Sequence, residues 1–135
     1  MAVRIDWPAL WAGVIVAVVI CVPAALIGQA LDDNSANEDP SGAALLLVFV
    51  VLAGLVIGAA IAAQRQDVGA PLVHGIAAAL VSFALVQGVG ILRQFAVSED
   101  ISWGGILSSA LLSMVAGSVG GLIGARLQRH AGQEP

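Results

Sequence analysis

Four stretches of roughly helix-spanning length, with no Asp, Glu, Lys or Arg in their central portions, constrain this chain more than any other feature. They cover residues 7–28, 42–63, 71–92 and 102–127. An α-helix rises 1.5 Å per residue, so about 20 apolar residues cross the ~30 Å hydrocarbon core of a bilayer. Inside hydrocarbon every backbone N–H and C=O must be satisfied within the protein, which restricts spanning segments to helices or closed barrels. Strict polar–apolar alternation, the mark of a barrel strand, is missing. The expected fold is therefore all-α: a four-helix transmembrane bundle forming a single domain over 1–135. Composition agrees, with 59 % apolar and 10 % charged residues against about 45–50 % and about 25 % in soluble domains.

The first stretch resembles a secretory signal in outline. Its apolar run, 9–27, has 19 residues, longer than the roughly 7–15 of a signal core. Val18-Val19-Ile20 before Cys21 lacks the small residue that precedes a lipidated cysteine. A retained span is expected, with the lone Cys21 as a small packing residue.

All five basic residues are arginines, and their placement orients the spans. Arg4, Arg65, Arg126 and Arg129 fall on one side of the membrane, and only Arg93 falls on the other. Asp32, Asp33, Glu38, Asp39, Glu99 and Asp100 share the side of Arg93. The positive-inside rule places both termini, the 64–70 connection and the 128–135 tail in the cytoplasm, with acidic outer loops at 29–41 and 93–101. Trp7 and Trp11 then sit at the inner interface and Trp103 at the outer one. The first outer loop reads as a solvated connector rather than a cation or partner site, because the alternating oxygen ligands and glycine of a calcium loop are absent. A net charge of −4 offers no surface for nucleic acid.

Lipid tails are as apolar as leucine, so helices associate in a bilayer by close backbone approach, which small residues four apart permit. Gly54 and Gly58, followed by Ala62, form such a row in the second span. Ser109, Ser113, Gly117, Gly121 and Ala125 form one in the fourth, widened by Gly120 and Gly124. The simplest pairing sets span two against span four; association with another copy or another membrane protein is the alternative. At an offset of 63 residues Ala53-Gly54 matches Ala116-Gly117 and Gly58 matches Gly121. Either the halves are duplicated hairpins, related by a pseudo-two-fold along the membrane normal, or the likeness is chance between similar helices. Pro23 falls inside span one and is expected to kink it, whereas Pro8 and Pro71 lie at helix starts.

His74 and Gln87 are the candidate intramembrane polar residues. An ionisable group within a span is a functional candidate, but a proton relay needs a second titratable group in the membrane, so a hydrogen-bonded interfacial histidine is the simpler reading. Gln87 is placed to bond across to Ser108 or Ser109, and Ser82 and Ser113 to bond back to their own helix carbonyls. No nucleophile–base pair, paired carboxylates, nucleotide loop or zinc motif appears, so no catalytic residues, metal ligands or cofactors are assigned and no enzyme is expected.

The size, the span count, the proline-led third span beginning Pro71-Leu72-Val73-His74-Gly75 and the glycine-rich fourth span resemble small four-span bacterial membrane proteins of the actinobacterial type. The resemblance implies the bacterial inner membrane as the location and carries no site residues. The expected role is a non-enzymatic structural or accessory subunit, in contact with membrane lipids and with another membrane protein or further copies of itself. A small-solute transporter or channel built from several copies, with His74 and Gln87 along the path, is the alternative.

Overall fold

The computed structural model describes residues 4–33, 42–97 and 103–131. They form four helices, α1 (Trp7–Asp33), α2 (Gly42–Arg65), α3 (Pro71–Val97) and α4 (Trp103–Ala131). All four are long and apolar enough to cross a membrane. Residues 34–41 and 98–102, on which much of the acidic-loop readings falls, lie outside the described residues, as does the tail beyond 131.

Each helix begins near where its apolar run begins and outlasts it by two to five residues. Asp6 caps α1: its Oδ1 accepts the Ala9 N–H at 3.3 Å, and its carbonyl accepts the first helical bond from Leu10 at 3.0 Å. Pro71 occupies the first position of α3, where the missing N–H costs nothing. Pro23 lies within α1, which is continuous through it, with its ring on the exposed face. The α2–α3 connection turns at Gly69, whose φ of 75° is left-handed. Gly69→Ala should therefore cost about 1 kcal/mol, read as a lowered unfolding temperature in detergent.

The burial pattern is inside-out relative to a water-soluble protein. The core holds small side chains, among them Ala17, Cys21, Ala59, Ala62, Ala63 and Ala79. Large ones such as Leu46, Phe49, Leu107, Val115 and Leu122 point outward. Contiguous apolar surface on this scale is not tolerated in water. It is what a bilayer requires, and the chain is a multi-pass integral membrane protein in contact with lipid. Trp7 and Trp11 at one end and Trp103 at the other are exposed, as interfacial anchors are.

Around the bundle the helices run α1, α2, α4, α3, with α2 and α3 also in contact across the short diagonal and no Cα–Cα approach within 8 Å between α1 and α4. A two-fold exchanging the halves would make α4 meet α1 as α2 meets α3. The four-helix bundle stands, but its hairpins lie side by side rather than turned about a common axis. Their internal register differs as well. Gly58 lies against Gly13 and Ala17, whereas Gly121 lies against Leu72 and Gly75, the counterparts at the 63-residue offset of Ala9 and Ala12.

Candidate functional site

Three glycine seams fix where the helices touch. On the α1–α2 seam, a Cβ at Gly58 would meet the Gly13 carbonyl at 2.6 Å and Ala17 Cβ at 2.7 Å, and one at Gly54 would meet Cys21 Sγ at 2.8 Å. On the α3–α4 seam, a Cβ at Gly117 would meet Ala79 Cβ at 2.8 Å, and one at Gly75 would meet Gly121 Cα at 2.6 Å. The α2–α4 seam uses Gly120, which abuts the Val56 carbonyl and Ala59, and Gly124, which abuts the Ala60 carbonyl and Ala63. The Gly54–Gly58 row of α2 thus faces α1, not α4 as the simplest pairing had it. The physical reason is that α4 carries two small faces: Gly117 and Gly121 turn toward α3, while Gly120 and Gly124 turn toward α2. Ser113 is buried and donates to the Ser109 carbonyl at 2.8 Å, whereas Ser109 is exposed.

The seams are densest in the half of the bundle nearest the chain termini, and there a polar latch closes the end. His74 is fully buried. Its Nε2 accepts the Asp6 N–H at 2.8 Å, and its Nδ1–H donates to the Ala70 carbonyl at 2.9 Å. Those two partners select the neutral ring protonated on Nδ1. Asp6 Oδ2 accepts the Asp67 N–H at 3.4 Å. Beside them Gln66, also fully buried, accepts the Ala70 N–H on Oε1 at 3.1 Å and donates through Nε2 to Gln128 Oε1 at 3.3 Å. Gln128 Nε2 in turn donates to the Gln66 carbonyl at 2.8 Å. The latch therefore joins the start of α1, the α2–α3 connection, the first turn of α3 and the last turns of α4.

Gln66 and Gln128 were not among the sequence candidates, and neither were Gly13 and Gly75. Signals existed for three of them. Gln128 continues the four-residue spacing of Gly120 and Gly124, Gly13 begins a row with Ala17 and Cys21, and Gly75 begins one with Ala79.

Toward the hairpin end the helices part around a cavity of about 440 Å³. Its inner wall includes the buried Cys21, Leu55 and Ser113. Cys21 donates to the Val51 carbonyl at 3.3 Å, so its thiol is held as a packing group. Leu45 and Val48 of α2 and Ser109 and Leu112 of α4 line the cavity and are themselves exposed, which puts its mouth between those two helices. Gln87 also lines it. The expected bond from Gln87 to Ser108 or Ser109 is not made: Ser108 donates to its own helix at the Gly104 carbonyl, 3.0 Å away. Ser82 likewise donates to the Ala78 carbonyl at 2.7 Å. His74 and Gln87 do not share a site; 13 residues separate them, about 20 Å along α3.

A void of 440 Å³ charged at about 24 cal/mol per Å³ would cost roughly 10 kcal/mol, comparable to the whole stability of a small domain. Water fills such a space only where each molecule finds two to four polar partners, and this lining is mostly leucine, valine and alanine. The cavity thus suits an apolar occupant with at most a small polar group near Gln87 and Ser109. Among the described residues no group of three or more His, Cys, Asp or Glu is placed to hold a metal ion. Comparison with protein-family models, with curated proteins and with solved structures finds no match to this chain.

Proposed function

We propose that this protein is a non-enzymatic structural or accessory subunit of the bacterial inner membrane, with both termini cytoplasmic, held in a larger membrane assembly or homo-oligomer. The observation that carries the reading is how the bundle spends its interior. Glycine seams and the latch around His74, Gln66 and Gln128 tie the four helices to one another within the chain. The seams are occupied within the chain, so a partner would meet the large outward side chains of α2 and α4, such as Phe49 and Leu122, rather than a glycine stripe. The channel reading gains no support: His74 has both ring nitrogens bonded in a buried latch, and the cavity holding Gln87 lies in the opposite half of the bundle.

Purified in mild detergent from native membranes, the protein should carry a stoichiometric membrane-protein partner or migrate as a discrete homo-oligomer. Reconstituted alone in liposomes, it should pass no small solute. A partnerless monomer, or a solute flux abolished by Gln87→Ala, would overturn this assignment.

A further inference from the structure

The cavity between the helices has the dimensions, the chemistry and the opening of a site for one hydrocarbon chain. Its lining runs from Cys21 to Gln29 on α1 and from Leu55 to Leu45 on α2. Those stretches of 8 and 10 residue steps correspond to about 12–15 Å along a helix. That is half of the ~30 Å hydrocarbon core, the depth of a single leaflet. The inner limit lies at mid-bundle, where the Gly54–Cys21 contact and the buried Ser113 bring the helices together. The mouth, flanked by the exposed Leu45, Val48, Ser109 and Leu112, lies on a flank of the bundle that faces lipid.

We propose that this cavity binds one acyl chain of a membrane phospholipid from the leaflet at the hairpin end. The chain enters sideways between α2 and α4, and its ester region lies within reach of the Gln87 amide and the Ser109 hydroxyl. Neither side chain has a hydrogen-bond partner among the described residues, and both line the cavity. Six carboxylates against one arginine in the two connections at this end disfavour an anionic head group and favour a zwitterionic one. The site does not depend on the subunit role proposed above, since a free monomer would present the same cavity.

The test uses the full-length protein in vesicles of a zwitterionic phospholipid that carries a photoreactive diazirine midway along one acyl chain, with cross-linked peptides mapped by mass spectrometry. Cross-links should concentrate on cavity residues such as Val51, Leu55 and Val86 above the level on outward residues such as Leu122. Gly28→Phe fills the cavity from a position where a new Cβ would meet only Leu47, at 3.9 Å, and should lower cavity labelling roughly tenfold. Gly88→Phe, with nothing within 4 Å of its Cβ and no part in the lining, should leave labelling unchanged. Ala25→Leu is a milder filler should Gly28→Phe fail to fold. Labelling spread evenly over all lipid-facing residues overturns the proposal. So does labelling indifferent to both fillers, or cavity labelling obtained only with a free photoreactive fatty acid and not with the phospholipid.

Discussion

Gly120→Leu and Gly124→Leu are each expected to prevent the bundle from assembling, whereas Gly88→Leu and Gly104→Leu are expected to be tolerated. At Gly124 a side chain would be driven into the Ala60 carbonyl and to 2.7 Å from Ala63 Cβ, and at Gly120 into the Val56 carbonyl. A backbone carbonyl in a helix cannot rotate aside, so α2 and α4 would have to separate along their length. Over-packing typically costs about 1–3 kcal/mol where side chains can adjust, and a main-chain obstacle puts these two sites at or above that range. Gly88 and Gly104 have nothing within 4 Å of the added Cβ. Conversion of those two to alanine should even stabilise the protein by about 0.5–1 kcal/mol, the ordinary gain of removing glycine from a helix. The same glycine-to-leucine change is thus disruptive at two positions and tolerated at two others. Unfolding titrations in mixed micelles read this directly, and equal effects at all four positions would mean the seams are misplaced.

The second large effect is expected at the latch. His74→Ala removes the acceptor of the Asp6 N–H and the donor to the Ala70 carbonyl, and leaves space at a fully buried position. An N–H left without a partner at this part-buried position costs up to about 1–3 kcal/mol, and the volume lost at the buried ring adds to it, for a total of about 2–4 kcal/mol. Hydrogen exchange at the Asp6 amide should accelerate in parallel. Ser82→Ala, equally buried, should cost much less, because the Ser82 hydroxyl bonds only to a carbonyl of its own helix. A His74→Ala variant as stable as the parent would show that the latch does not hold the bundle end.

How much of this was legible beforehand follows from what each signal measures. Hydropathy located the four spans because bilayer thickness sets their length. It stopped short of the helix ends, since α1 continues to Asp33, α3 to Val97 and α4 to Ala131. Hydrogen-bond ladders run on through polar residues such as Gln29 and Gln128, while hydropathy marks only where hydrocarbon ends. The small-residue rows showed which faces could approach another helix closely, but a glycine does not say which one. Gly58 found Gly13 on the preceding helix, and α4 divided its glycines between α2 and α3. His74 stood out as a polar residue in a span. Its partners did not, because the Asp6 donor is a backbone N–H, and Gln66 and Gln128 lie outside the apolar runs and meet only once the bundle is assembled. The cavity had no sequence signal, because it is space left between side chains on four separate helices.

The central claim is that the chain crosses the membrane four times, so that the α1–α2 connection and the carboxyl end lie on opposite sides. Single cysteines introduced as Asn37→Cys and Gln133→Cys in a Cys21→Ala background, probed in intact cells with a membrane-impermeant maleimide, test it most directly. The cysteine at position 37 should react from outside, and the one at 133 only after the membrane is opened. Reaction of both from the same side would contradict the four-span bundle.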